Sequence, residues 1–424
     1  MLRLRARYLL PIDQPPILNG VLTIDGSRIV AIEPYSNSSH AAKSDVIDLG
    51  DVAILPGLVN AHTHLEFSHL QQPLGTRGMV FPEWIAAVVR NRQSVGADAL
   101  TNPILAGIQE SLTCGVTTVG DIAQRSPIGI DAALELQSFL ELRSPMQSGI
   151  DAAVTLATQA IEDLQSTEPR SLYQLGLSPH APYTVHIELL KQLVALSSRH
   201  SVPLAMHLAE SPEELQYLRD QSGPFCELME NRGVFDSTAI LPHATPLEYL
   251  QMLATASRAL VIHGNYLTDS ELDFLAKRSD RMSLVYCPRT HAYFQHALYP
   301  LHAALRRGIP VALGTDSRAS NPDLNLLEEI RSVVQRDGVS PQTALTMGTL
   351  NGAKALGREE SIGSLTVGKL ANLAVLRTSS PSDAEPYESC LHSDSRAVAT
   401  VVRGQIVWSE LEELPAISTT TGSS

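Results

Sequence analysis

Three histidines, His62, His64 and His69, fall within eight residues of the stretch 56-PGLVNAHTHLEFSHL-70. The whole chain has 14 histidines in 424 residues, so this local density needs an explanation. On a β-strand, side chains alternate between faces, so His62 and His64 at i and i+2 point the same way. Two imidazoles on one face can share a cation. A chance pair on a half-exposed strand gives the same pattern, and the pair alone does not decide. Other residues able to do chemistry lie far along the chain: His180 in SPHAPYT, His207 and Glu210 in HLAES, His263 in VIHGN, His291 in CPRTH and Asp316 in GTD. His62, His64, His207 and Asp316 together suit Zn²⁺ or a similar first-row ion, with a coordination position left for water.

These residues need a scaffold that gathers them. The middle of the chain alternates short apolar runs with amphipathic helical patterns. The strand candidates are 61–67, 117–122, 137–143, 173–180, 203–210, 259–265, 283–289 and 310–316. Eight βα units over this length predict a (β/α)₈ TIM barrel spanning 56–363, an α/β fold whose active site lies at the C-terminal strand ends. The chemical residues fall at those ends. Residues 1–55 and 364–411 are instead β-rich, with Asp-Gly and Pro-Gly turns. They predict a small β-sandwich built from both chain ends. The Ser/Thr/Gly-rich tail, 412–424, is expected to be disordered.

His207 and Glu210 at i, i+3 would face opposite sides of a strand. The stretch 203-PLAM-206 reads as extended, and 211-SPEE-214 reads as a capping box with Pro at the first helical position. Glu210 therefore belongs to the turn and can bend over the barrel mouth. A solvated carboxylate at a helix start is the plainer alternative. For His263 the plainer alternative is a satisfied core histidine.

The formal charge of −14 argues against a nucleic-acid partner, because phosphate neutralisation needs a basic surface. The four cysteines are scattered, with no CxxC, which fits a reducing compartment. No segment approaches the ~18 apolar residues of a membrane span. A cytoplasmic protein acting on a small molecule is expected.

The motifs PGLVNAHTHLE, SPHAPYT, HLAES, VIHGNYL, VYCPRTH and GTDSRASN together resemble the amidohydrolase superfamily, in its branch of deaminases and triazine-type chlorohydrolases. The late SIGSLTVGKLANLAVL resembles that family's return into its small β domain. The resemblance implies that His62, His64, His207 and Asp316 hold the metal, zinc or iron. It implies that Glu210 shuttles protons, that His263 bonds the nucleophilic water or the substrate, and that His180 binds substrate. The implied reaction is hydrolytic deamination of an aminated heteroaromatic ring. Hydrolysis of another C–N or a C–Cl bond is the alternative, and a non-catalytic binding protein a third. Binuclear relatives carry a bridging Lys on the fourth barrel strand; YQLGLSPHAP has none, so one metal is expected.

Substrate contacts are harder to read. Trp84 in 81-FPEWIAAVVRNRQ-93 could stack on a heteroaromatic ring or anchor a lid. Arg90 and Arg92 stand where related deaminases are expected to carry a ribose-binding Glu, and they would suit a carboxylate. Arg289 and His291 are expected at the mouth, with strand-end packing as the plainer role. Together these point to a carboxylated, purine-nucleoside-like substrate. A homodimer would be common for such a barrel.

Overall fold

A computed structural model of the chain describes residues 1–36, 46–94, 100–125, 132–166, 172–378 and 385–416. Two sheets organise these residues. The first takes β1 (Leu2–Leu9), β2 (Ile17–Asp25), β3 (Arg28–Pro34), β4 (Val46–Asp48) and β5 (Val52–Pro56) from the start of the chain. The second is parallel: β6 (Leu58–Thr63), β7 (Val116–Ala123), β8 (Glu135–Leu142), β9 (Tyr173–Pro179), β10 (Leu204–Leu208), β11 (Ala259–His263), β12 (Met282–Tyr286) and β13 (Val311–Leu313). The chain then returns to the first sheet through β14 (Leu373–Arg377), β15 (Arg396–Val402) and β16 (Gln405–Ser409).

The parallel sheet runs β6 to β13 in chain order, and helices cover its outside. It closes where Thr63 bridges Asp316 in parallel. The closing contacts are short. Asp316 N donates to His62 O at 3.1 Å, Thr63 Oγ1 to Asp316 O at 2.6 Å and Asn60 Nδ2 to Thr315 Oγ1 at 2.8 Å. Gly314 permits the approach, because a Cβ there would sit 2.7 Å from His62 O. All strands from β6 to β13 are buried apart from the start of β9, as a parallel sheet covered on both faces requires.

The end-derived strands form one continuous sheet, ordered β16-β15-β14-β5-β1-β2-β3, with β4 also pairing β1. Its strands share a core that includes Leu4, Leu22, Ile24, Val375 and Val401. β5 shows how the two bodies join. Val52 and Ile54 belong to that core, while Ala53 and Leu55 pack into the core around the barrel. β14 does the same with Leu373 and Val375 on one side and Ala374 and Leu376 on the other. Strands covered on both faces read as apolar runs instead of an alternation, which matches VAILP and LAVL.

Two expectations change. The first barrel strand starts at Leu58 and ends at Thr63; Leu65–Phe67 forms a 3-10 turn. In the expected tail, Leu414 is buried against the small domain's core, while 417–424 lie outside the described residues. Among the described residues no helix is long and apolar enough to cross a membrane.

Candidate metal centre

His62 sits on β6, and His64 just past its end keeps an extended backbone with φ −127° and ψ 91°. Strand alternation therefore carries through to His64, and the two rings lie 5.0 Å apart. His207 on β10 places its ring 5.0 Å from His62 and 5.5 Å from His64. Asp316 comes from the turn after β13, its Oδ1 3.5 Å from His62 Nε2 and 3.7 Å from His64 Nε2. The ring of His263 lies 5.7 Å from that of His62. Donor atoms of His62, His64 and His207 lie within 4.8 Å of one another, as do those of His62, His263 and Asp316.

The donor set fits a divalent cation. His62 is 0 % exposed and neither ring nitrogen has a hydrogen-bond partner. Leaving such buried nitrogens unpaired costs about 1–3 kcal/mol each, a cost a coordinated ion removes at the nitrogen that binds it. His207 Nδ1 lies 2.9 Å from His180 O; donating there leaves Nε2 as the free donor atom, the usual outer-sphere arrangement for a metal-binding histidine. Ser320 Oγ donates to Asp316 Oδ2 at 2.9 Å, which leaves Oδ1 facing the histidines. Burial, with His62 next, pushes the His207 pKa down to about 4. Burial, then His62 and His207, also holds His64 well below its ordinary value. Neutral imidazoles are the form that binds metal.

Local backbone turns these side chains inward. Ala209, His263 and Asp316 have φ of +54°, +67° and +53°, a region sparsely populated by residues other than glycine. Ala209 breaks the strand alternation between His207 and Glu210, so both reach the mouth. The expected capping box takes a different form. Ser211 Oγ accepts from Glu214 N, but the Glu214 carboxylate reaches further back, to Ala209 N at 2.8 Å and Glu210 N at 2.9 Å. Asn265 Nδ2 donates to Glu210 O, and Tyr299 Oη to His263 O. Glu210 Oε1 then lies 3.2 Å from His263 Nε2. Burial, with Asp316 and Glu214 adding, holds Glu210 well above the usual carboxylate range.

A cavity of about 270 Å³ opens over this cluster and touches His64, His207, Glu210, His263 and Asp316. Its outer wall is apolar: Phe81, Trp84, Val88, Leu228, Met229 and Val234. His180 and Tyr183 also line it. Trp84 stacks on Phe81 at 5.6 Å, and its Nε1 donates to Ala319 O. Burial keeps His180 neutral against the pull of Glu141.

The other expected contacts lie elsewhere. Arg90 is exposed and outside the lining, whereas Arg92 lines the cavity. On the helix Phe81–Ser94, Trp84, Val88 and Arg92 are spaced by four and share a face, which leaves Arg90 on the opposite side. Arg289 also lies outside the lining, paired to Glu329 at 2.7 Å and Asp323 at 2.6 Å. His291 is buried edge-on against Tyr286 and Tyr299, also outside the lining. His69 stands apart from the donors, its Nδ1 3.0 Å from Glu66 O.

Sequence reasoning missed Glu141, Arg143, Tyr183 and Arg232. Arg92 contacts Glu66 and lies 3.4 Å from Glu141 Oε2; Arg143 lies 3.0 Å from the same oxygen. Burial alone would raise the Glu141 pKa, but Arg92 and Arg143 outweigh it and hold the carboxyl ionised. Glu141 Oε1 lies 3.6 Å from His180 Nε2. Glu135–Leu142 and Leu142's neighbour Arg143 carried a signal: ionisable residues at the end of a barrel strand.

Comparison with known proteins agrees with the geometry. Residues 53–407 match the amidohydrolase family. The chain is 27% identical over 395 residues to 5-methylthioadenosine/S-adenosylhomocysteine deaminase of Bacillus cereus (strain 03BB102), covering 88% of this chain and 84% of that one. Its fold is similar to Helicobacter pylori aminofutalosine deaminase in complex with methylthio-coformycin, with TM-score 0.82, 21% identity, and coverage of 96% and 100%. It is also similar to atrazine chlorohydrolase of Arthrobacter aurescens TC1 complexed with zinc, with TM-score 0.79, 21% identity, and coverage of 99% and 97%. With its closed parallel barrel and its histidine and aspartate cluster at the strand ends, the chain belongs to the amidohydrolase family.

Proposed function

We propose that the protein hydrolytically deaminates an aminated heteroaromatic ring, of purine-nucleoside type, and releases ammonia. One observation carries this most directly: a buried acid, Glu210, lies 3.2 Å from His263 at the edge of a metal-fitting cluster, under an apolar cavity sized for a flat ring. Deaminase-named relatives support the same reading.

His62, His64, His207 and Asp316 would hold one divalent ion, zinc being the preferred identity. Bound there, it supplies Lewis-acid chemistry that makes water acidic enough to ionise near neutral pH. The steps assigned to the chain's own groups are these. Asp316 Oδ1 takes a proton from the attacking water, and His263 orients that water through Nε2. The water oxygen bonds to the ring carbon that bears the amino group. Glu210, carried as the acid, protonates the adjacent ring nitrogen. The proton from Asp316 passes to the amino group, the C–N bond breaks, and ammonia leaves. Glu210 recovers its proton from the new hydroxyl as the ring carbonyl forms. His180, steadied by Glu141 and by Thr184 Oγ1 at 2.6 Å, bonds a ring or sugar atom, and Trp84 covers the ring.

Triazine dechlorination is the second reading, since the fold is also similar to that of an atrazine chlorohydrolase complexed with zinc. A general acid set this far above its usual range suits a basic ring nitrogen and an amine leaving group better than chloride, which leaves without a proton. The test is ammonia release by metal-loaded protein across purine nucleosides, pterins, pyrimidines and amino- or chlorotriazines. Ammonia from a 6-aminopurine nucleoside supports the proposal. Chloride release with no ammonia from any substrate contradicts it.

A further inference from the structure

We propose that Glu214 is a positioning residue for the proton-transferring acid: its buried carboxylate fixes the backbone of Ala209 and Glu210, and so holds the Glu210 side chain against His263. This rests on the deaminase reading, in which Glu210 is the acid, and adds a residue that lies outside the cavity lining.

The chain contains its own comparison. Three helices begin with a Ser or Thr N-cap followed three residues later by Glu: Ser211 and Glu214, Thr245 and Glu248, Thr268 and Glu271. In the last two the glutamate closes an ordinary capping box. Glu248 Oε2 accepts from Thr245 N at 2.8 Å, and Glu271 Oε2 from Thr268 N at 2.6 Å. Glu214 reaches past its N-cap. Its Oε1 accepts from Ala209 N at 2.8 Å and its Oε2 from Glu210 N at 2.9 Å. One carboxylate thus spans two successive backbone N–H groups in the link between β10 and the helix Pro212–Asp220, as an anion does in a backbone nest. Helix capping needs no such reach, so these bonds serve the link.

That link needs holding. Ala209 has φ +54°, a conformation that a residue with a Cβ keeps only when its surroundings impose it. They do so from two sides. The loop after β11 takes the carbonyls: Gly264 N donates to Leu208 O at 3.0 Å, Tyr266 N to Ala209 O at 3.2 Å and Asn265 Nδ2 to Glu210 O at 2.9 Å. Glu214 takes the N–H groups. The same loop follows His263 directly, so the clamp fixes acid and imidazole relative to each other, with Glu210 Oε1 3.2 Å from His263 Nε2. Glu214 is 0 % exposed, so water does not stand by to replace its oxygens. Without them Ala209 can relax, and Glu210, the next residue, moves with it.

The experiment is a double-mutant cycle on the metal-loaded full chain, read by ammonia release from a 6-aminopurine nucleoside. Glu214→Gln offers one acceptor oxygen in place of two and turns an N–H group towards a backbone N–H. It is expected to lower kcat by about 10²-fold, the scale of a misplaced catalytic group, with KM within about twofold and metal content unchanged. In the Glu210→Gln background the same substitution should lower kcat no further, because no acid is left to position. Glu248→Gln breaks an ordinary capping box and should lower Tm without changing kcat. Glu214→Asp keeps the charge but loses one methylene of reach; it should repeat the pattern, and replaces the amide variant if that does not fold. Amide hydrogen exchange over 204–211 reads the two bonds without substrate. The Ala209 and Glu210 amides should lose protection in Glu214→Gln and keep it in Glu248→Gln. Wild-type kcat in Glu214→Gln, an equal loss in both backgrounds, loss of metal along with kcat, or unchanged exchange at the two amides overturns the proposal. If Glu210→Gln turns over at the wild-type rate, or wild-type protein releases no ammonia, it is the acid or deaminase reading that fails, while the exchange data still decide whether Glu214 holds the link.

Discussion

Glu210 Oε1 and His263 Nε2 lie 3.2 Å apart, although one residue follows β10 and the other ends β11. Both are almost fully buried. A carboxyl raised by burial and an imidazole lowered by burial are both neutral there, so the pair is stable as acid and base without a net charge. Glu210→Gln keeps the shape but removes the transferable proton. Turnover should fall by about 10²–10⁴, with metal content, measured by elemental analysis, unchanged. Turnover near wild-type level would remove Glu210 from the proton path.

The raised Glu210 pKa also predicts the pH profile. The acid form is the active one, so kcat/KM should be retained above the ordinary carboxylate value of 4.5 and decline as pH rises through the raised value. A profile measured to pH 10 checks this. No decline on the alkaline side would contradict the acid role.

Metal removal should cost stability as well as activity. His62 is buried with both nitrogens unpartnered, and an ion that binds only the native state stabilises it by mass action, about 4 kcal/mol at a thousandfold excess over Kd. Chelation should lower Tm by several degrees, and added Zn²⁺ should restore it. In His62→Ala, Tm should no longer respond to Zn²⁺. A Tm indifferent to chelator in the wild-type protein would count against the site.

Glu214 gives a separate stability signal. Burial, offset in part by backbone N–H groups of Glu210 and Ala209, raises its pKa from 4.5 to about 7. The native state therefore holds a proton that the unfolded chain loses first. The stabilising contribution is complete below pH 4.5 and is lost as pH rises to about 7, a change of roughly 3 kcal/mol. Urea unfolding between pH 5 and 8 should show this slope, and Glu214→Gln should flatten it.

Arg289 is predicted to act on stability alone. Its guanidinium neutralises Glu329, which is 0 % exposed. Arg289→Ala leaves that carboxylate buried without its main partner, at a cost of roughly 3–5 kcal/mol. KM should change little at a temperature where the variant stays folded. A large KM effect with unchanged Tm would return Arg289 to the substrate site.

Much of the scaffold was legible in the sequence because a covered parallel strand leaves a compact apolar run, and six of the eight such runs ended in or just before a chemical residue. The HxH parity was legible because His64 stays extended. Three features were not. The positive φ at Ala209, His263 and Asp316 depends on tertiary packing, not on glycine, and so leaves no local mark. The choice between Arg90 and Arg92 needed the helix face, which only the partners of Trp84 and Val88 define. The pairing of Arg289 with Glu329 joins residues forty apart, and no local pattern announces it. Arg232 was hidden for the opposite reason: a lone arginine at a helix end reads as solvated surface until the cavity beside it is seen.

The central claim is that one metal-fitting cluster and one buried acid perform hydrolytic deamination. The most direct measurement is ammonia release from a 6-aminopurine nucleoside, run alongside metal analysis, for wild-type protein and Glu210→Gln. The account predicts one divalent ion per chain in both proteins and ammonia from the wild-type protein, with the variant slower by at least about 10². Two tightly bound ions per chain, or no ammonia from the metal-loaded wild-type protein, would contradict it.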